Sequence, residues 1–555
     1  MSALGPATMA ESAVSDRRAR RLHRRWQATI VLLALLGGGL VLLATARYGA
    51  GLTTDSVAYL DGASNLMSGK GFISHTGEPL IWWPPVYPAL LALIGSVTRL
   101  DPTSFAHIVN AILFGLLVLL SARLLRTGLR LSAAYSVLGV CAMVFSVPLS
   151  AIYAMTWSEC LFVPLVVLYL VCAQRYRESR SVVMLVMMVV STALACLTRY
   201  IGLALVPTGI LVIMLAPEAN IRTRFFRAGG FAILSLAPLG FWLLRNYQQA
   251  GTLSGNRFHP VFELVTNIVL LITSMLSWYE PVGLAVRSAS GGGAQAVKSA
   301  SLSINLFVAL VGVGALAAAL ALSRTTRTRL SRGIGAVLRH HQPVVIFVAV
   351  YTAVLVLLAA RGASSFVDQR LLSPLYVPAT MVLLKLAYGL FGQERTGSTA
   401  LSRSLPLVLL WLWLCFPLAW VWRSTARRYE NGAGGYNTRT WRESETIAHA
   451  GRVPSANGGN RLYSNGRDVL WALAGVNASW VPSRTEVPLS DLVGRWPDSA
   501  AVVVWFDSIT WRKHLFSVEE LKEISNVEKV AQLNDGSVYR VSVREAPVRD
   551  ITLPR

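Results

Sequence analysis

The chain has 555 residues, 54% of them hydrophobic and only 14% charged, with a mean hydropathy of +0.51. A water-soluble protein of this length carries about a quarter charged residues, so lipid is the expected solvent. The formal charge of +23 does not point to nucleic acid, because the arginines fall in short clusters between apolar runs, the pattern that sets membrane topology.

The N-terminus is basic, with Arg17, Arg18, Arg20, Arg21, Arg24 and Arg25. An apolar run from Ala28 to Ala46 follows, long enough to span and without a small-residue cleavage site, so it reads as a signal anchor. About eleven transmembrane helices are expected, near 28–46, 105–124, 132–153, 158–174, 181–198, 201–217, 228–244, 302–322, 343–360, 371–391 and 404–422. Every second loop is basic: Arg123/Arg126/Arg130, Arg175/Arg177/Arg180, Arg222/Arg224/Arg227, Arg324 to Arg339, and Arg395/Arg403. These are assigned to the cytoplasm. An odd number of spans then places the tail outside.

The expected organisation is a cytoplasmic basic segment (1–27), a membrane domain (28–422) with long outer loops at 47–104 and 247–301, and an extracytoplasmic soluble domain (423–555). Val86–Val97 is too short to span comfortably and reads as a surface helix. Val261–Trp278 reads as re-entrant, interfacial or spanning, and the sequence does not choose. In the tail, Arg461–Ser464, Ala500–Phe506 and Ser537–Val541 look like strands, and Glu443–Gly451 and Arg467–Ala474 look helical. That alternation predicts a small α/β domain. The cysteines, Cys141, Cys160, Cys172, Cys196 and Cys415, lie in or beside apolar runs without zinc-ligand spacing and read as packing residues.

The most informative stretch is Thr53–Leu90. Asp55-Ser56 opens a helical pattern with Val57, Leu60, Ala63 and Leu66 on one face. Asp55 is therefore a cap or first-turn acid favoured by the helix dipole. Gly69-Lys70-Gly71-Phe72 closes that helix as a turn, and Trp82-Trp83-Pro84-Pro85 has the character of an interfacial anchor. Asp61 and Glu78 read as solvated or structural, and His75, His107 and His259 as surface histidines. Lys385 reads as the main charge deep within a span.

Asp55-Ser56-x-x-Tyr59-Leu60, Gly69-x-Gly71-Phe72 and Trp83-Pro84-Pro85-x-Tyr87-Pro88, in this order, resemble the first outer loop of the GT-C fold membrane glycosyltransferases. The similar branch is the bacterial relatives of protein mannosyltransferases and aminoarabinose transferases. Ser158-Glu159, Thr198-Arg199-Tyr200, Arg245-Asn246-Tyr247 and Asp368-Gln369-Arg370 with Leu372-Ser373-Pro374 follow the same family order. The resemblance implies a catalytic role for Asp55, matches Glu159 to the acid of the second outer loop as a second catalytic candidate, and makes Tyr59 a substrate-binding candidate. It implies an inverting transfer of a sugar from a polyprenyl-phosphate donor to a glycan, lipid or protein acceptor. Some members use a divalent cation and others none, so the resemblance leaves a metal cofactor open.

The residues support an anion site on their own. Arg199, Arg245 and Arg370 all fall at outer membrane edges, where the topology rule makes arginine uncommon. A guanidinium fork suits a phosphate, and Lys70 and Arg257 are weaker candidates for the same role. Two other readings stand beside the enzyme: a flippase or transporter for a lipid-linked saccharide, and a non-catalytic assembly subunit. A charge deep in several spans would favour the transporter.

Overall fold

The computed structural model describes residues 6–216, 220–255, 264–278, 324–361, 369–391, 400–452 and 461–543. The expected span at 302–322, most of the outer loop 247–301, and Arg257, His259, Asp368 and Arg395 lie outside the described residues. The chain divides into two compact units. One comprises Met1–Ala46, Ile81–Leu90 and Ser104–Tyr429, the other Arg47–Leu80, Leu91–Thr103 and Glu430–Arg555.

The first unit is helical. Its elements are α1 (Pro6–Thr45), the start of α3 (Val86–Thr98), and α4 (Pro102–Arg123), which runs on into one π-helical turn at Leu124–Gly128. Then come α5 (Ala133–Val144), α6 (Val147–Tyr153), α7 (Glu159–Ser179), α8 (Val182–Thr198), α9 (Leu205–Met214), α10 (Ile221–Ala250) and α11 (Leu264–Leu276). α12 (Arg324–His340), α13 (Gln342–Ala360), α14 (Gln369–Phe391) and α15 (Ala400–Asn431) complete it. α2 (Thr54–Met67) belongs to the second unit.

Among the described residues, seven helices are long and apolar enough to cross a membrane, and eight if the bent pair α5–α6 is one span. The bend of 51° has a local cause. Ser146 caps α6 by accepting the Leu149 N–H, and Pro148 stands at the start of the helix, where its missing N–H costs nothing. The expected spans at 181–198 and 201–217 appear as shorter apolar helices. α11, at 13 residues, is about 20 Å long, shorter than a hydrocarbon core.

α7 is the buried centre of the unit, apolar on nearly every face despite Pro164 in its interior. Lipid-facing character is plain on α1 and α10, where Leu35 and Phe226 are 67% and 82% exposed. Four of the cysteines are buried as expected. Cys415, in α15, is exposed instead, because that helix keeps little of its surface inside the unit.

The second unit contains a sheet ordered β4-β3-β5-β7-β6. Its strands are β3 (Arg461–Ser464), β4 (Ser479–Trp480), β5 (Ala501–Phe506), β6 (Ser525–Leu533) and β7 (Gly536–Val543). β3 runs parallel to β4 and β5, and β7 antiparallel to β5 and β6. Three helices, α17 (Glu445–Ala450), α18 (Arg467–Ala474) and α19 (Val518–Ile524), accompany it. A core of Val481, Val503, Phe516, Leu521 and Val541 lies at 4% exposure or less.

A ribbon of β1 (Gly432–Gly434) and β2 (Asn437–Thr438), followed by the one-turn helix α16 (Arg439–Arg442), grips residues 48–52. The Leu52 N–H donates to Gly434 O at 3.2 Å, and the Tyr436 N–H donates to Leu52 O at 2.7 Å. Asn437 Nδ2 adds bonds to the carbonyls of Tyr48 and Ala50. Gly435 has φ +60°, and a Cβ there would stand 1.8 Å from Leu52 O. Only glycine admits this approach.

Candidate active-site residues

In the first unit, Glu159 opens α7, Arg199 stands where α8 stops, and Arg370 lies in the first turn of α14. Arg199 leaves α8 in an extended conformation, φ −150° and ψ 135°. The chain then tightens into a 3₁₀ turn at Tyr200–Ala204. Gly202 permits this, since a Cβ there would meet Ala195 backbone at 2.6 Å. These turns converge three charges. Arg199 Nη1 lies 2.7 Å from Glu159 Oε1, while Arg370 grips the same carboxylate through Nε and through Nη2, the latter at 3.3 Å from Oε2.

The Glu159 side chain is 1% exposed, the two arginines 16% and 21%. A carboxylate so buried must be paired, because desolvation of an isolated charge is prohibitive. Here it meets two guanidinium groups. Arg199 also donates to Ser158 Oγ at 3.0 Å, and Arg370 covers the face of Trp157 at 4.4 Å. Two guanidinium groups share this one carboxylate.

Arg245, near the end of α10, is half-buried. It donates to Asn246 Oδ1 at 3.1 Å and lies 4.9 Å from the Trp242 ring centroid. Its neighbour Asn246 is fully buried and ties this helix end to the carbonyl of Leu253 at 3.0 Å. The Tyr200 hydroxyl donates to Ile81 O at 3.0 Å, fixing the start of the Trp82-Trp83-Pro84-Pro85 segment.

In the second unit, Asp55 lies in the first turn of α2 behind an extended Thr53 cap residue, as its sequence position predicts, and it is half-buried. Tyr59, one turn on, is 2% exposed. Lys70 is exposed in the closing turn, between Gly69 (φ +73°) and Gly71 (φ +88°), and its N–H donates to Asn65 O.

Two groupings in this unit escaped the sequence reading. Asp61 is 3% exposed, which is the structural one of its two expected alternatives, but its partners were not foreseen. It accepts the His75 backbone N–H, lies 2.7 Å from His75 Nδ1 and takes a bond from Asn65 Nδ2. His75 is correspondingly not a surface histidine: its side chain is 8% exposed and its ring stacks on Trp471 at 5.2 Å. A signal was present, since Asp61 shares the i, i+4 stripe of Val57 and Asn65. The other grouping joins Thr54, Tyr436, Asp468 and Arg512. Arg512 Nη2 donates to Asp468 Oδ2 at 2.6 Å, Tyr436 Oη at 3.0 Å and Thr54 Oγ1 at 3.1 Å. Residues so far apart in the chain leave no spacing to read.

Lys385 corrects another expectation. It donates to Leu129 O at 2.6 Å and lines a cavity with Arg130, Arg177 and Arg339. It therefore stands with the basic loops at one end of the unit, not deep in the bundle. Among the described residues, no three His, Cys, Asp or Glu side chains gather as a metal site.

A polytopic helical membrane unit together with a C-terminal α/β sheet unit is the GT-C class of architecture. Comparison with solved structures gives the particular likeness: ArnT from Cupriavidus metallidurans in the apo state. The TM-score is 0.58 at 10% identity, covering 94% of this chain and 98% of that one. The same enzyme bound to undecaprenyl phosphate gives a TM-score of 0.54 at 11% identity over 93% and 98%. The chain shares the fold of this aminoarabinose transferase over 94% of its residues. No family model matches the sequence, and a search of curated proteins finds no match either.

Proposed function

We propose that the protein is an integral membrane glycosyltransferase that moves a sugar from a polyprenyl-phosphate donor to a hydroxyl-bearing glycan, lipid or protein. The observation that carries this reading is the whole-chain fold likeness to ArnT, a protein also solved with undecaprenyl phosphate bound. The charge pattern adds sidedness: a multi-pass protein of the inner (cytoplasmic) membrane, N-terminus in the cytoplasm, Asp55 and the sheet domain outside.

In this reading Asp55 is the general base. The acceptor oxygen attacks the anomeric carbon, the bond from that carbon to the phosphate oxygen breaks, and the acceptor proton passes to the Asp55 carboxylate. Its first-turn place in α2 favours the ionised form such a base needs. The departing phosphate carries away the electron pair and gains negative charge. Arg245, Arg199 and Arg370 supply the cationic donors for it, with Lys70 as an outer contact and Tyr59 as part of the wall beside Asp55. Glu159 acts electrostatically, orienting Arg199 and Arg370.

The position of Lys385 weighs against the transporter reading, which called for charge in the middle of the spans. The test is Asp55→Asn, with sugar transfer measured in membranes supplied with labelled prenyl-phosphate sugars and expression checked alongside. Loss of transfer in a folded variant supports the assignment, and transfer at the wild-type rate removes Asp55 from the chemistry.

A further inference from the structure

The basic end of the first unit holds a second concentration of charge that the transfer chemistry leaves unused. A cavity of about 340 Å³ opens there, lined by Arg130, Arg177, Arg339, Lys385, His341 and Glu178 among others. At about 30 Å³ per water, it has room for roughly ten waters, enough for a phosphate group with its ester neighbours. Four permanent cations face one carboxylate. Glu178 is turned outward and spends itself on Arg130 at 3.7 Å and Arg175 at 3.6 Å.

The cavity wall has unmet polar capacity. His341 is 4% exposed, and its Nδ1 is buried without a hydrogen-bond partner, as is Arg177 Nε. Other polar groups of the wall are engaged, Lys385 Nζ with Leu129 O, Arg177 Nη1 with Arg339 O and Gln174 Nε2 with His340 O, while the acceptor Gln174 Oε1 is also buried without a partner. These bonds hold the cations in place without neutralising them. Burial, reinforced by Lys385, His340, Arg130 and Arg177, pushes the His341 imidazole down to about 3. The cavity is thus a positive field with no internal counter-charge equal to it.

We infer that this cavity binds a phosphate group, at residues separate from the catalytic candidates. A phosphate supplies acceptor oxygens to Arg177 Nε and His341 Nδ1 and balances Arg339 and Lys385. Such a group comes from an anionic phospholipid headgroup or from free phosphate. The inference does not depend on the glycosyltransferase reading, since it rests on other residues.

The experiment places the full-length protein in nanodiscs of phosphatidylcholine, with or without phosphatidylglycerol, and compares wild type with Arg339→Gln, Lys385→Gln and Glu178→Gln. Retained lipid is read by native mass spectrometry. Inorganic phosphate is added separately to the pure phosphatidylcholine samples, with the thermal midpoint as readout. A headgroup site predicts selective retention of phosphatidylglycerol, weakened about fivefold for each cation removed and strengthened by Glu178→Gln. A free-phosphate site predicts instead a phosphate-dependent rise in midpoint that the same variants diminish. If Lys385→Gln fails to fold, exposed Arg339 and Glu178 still decide. Equal retention of both lipids with no phosphate response, or responses indifferent to all three substitutions, overturns the inference.

Discussion

Arg512 and Asp468 form an ion pair of 2.6 Å inside the second unit, with only 7% and 5% of their side chains exposed. Arg512 also lies 4.4 Å from the Trp480 ring centroid, and Asp468 accepts from Thr54 at 2.8 Å, the residue immediately before Asp55. Removing one partner strands the other charge, which costs about 3–5 kcal/mol for a buried pair. Arg512→Met and Asp468→Asn are each expected to destabilise the unit by that order. The double variant should cost less than the sum, and a double-mutant cycle of thermal unfolding reads the difference.

Within the first unit, Glu159 and its two arginines are not equivalent. Glu159→Gln leaves two buried guanidinium groups without their carboxylate, whereas Arg199→Gln leaves Glu159 still bonded to Arg370. The first substitution should therefore lower the thermal midpoint in detergent more than the second, with a gap on the order of 2 kcal/mol. Arg199→Gln is expected to raise the KM for a prenyl-phosphate donor. An equal loss of stability from both would show that the carboxylate is not shared as described.

The two acids of α2 should separate cleanly. Asp55 is half-buried at the helix start, while Asp61 is enclosed and bonded to His75 and Asn65. Asp61→Ala leaves those donors unsatisfied, at about 1–3 kcal/mol for each buried group, and should increase protease sensitivity of the outer loop. Asp55→Asn is expected to leave protease sensitivity unchanged and abolish transfer.

Gly435→Ala tests the grip on Leu52. The added methyl meets a backbone carbonyl rather than a flexible side chain, and φ +60° further disfavours a side chain. The ribbon should detach from the loop, and the Leu52 and Tyr436 amides should lose hydrogen-exchange protection. Unchanged protection would mean that the ribbon does not hold the loop in solution.

Much of this was legible beforehand, for physical reasons. Apolar runs long enough to span are hard to disguise, and each expected span within the described residues corresponds to a helix or a bent pair. β5 showed because a buried central strand is a continuous apolar run, AVVVWF. β6, SNVEKVAQL, stayed hidden because an edge strand keeps most of one face wet. The β1–β2 ribbon is built from glycines and small polar residues whose pairing depends on Leu52. Asp55, Glu159 and the three arginines could be ranked from position and family order. The sharing of Glu159 between Arg199 and Arg370 could not, because only tertiary contact joins those turns. His75 was misread for the same reason, its partners being a carboxylate on α2 and a ring in the tail.

The bond between Thr54 and Tyr436 joins residues separated by 382 positions. At about 5–20 residues per second of synthesis, Thr54 leaves the ribosome tens of seconds before Tyr436 exists. The segment around Thr54 is therefore made early and must wait, its partners unmade, while most of the membrane helices follow. The order of manufacture opposes the order of assembly, and the final stretch of the chain acts as the clasp. A nascent protein cut short before residue 430 would present Asp55 on a helix that has not yet received its support. The helix bearing the acid thus gains this partner only after Tyr436 has been made.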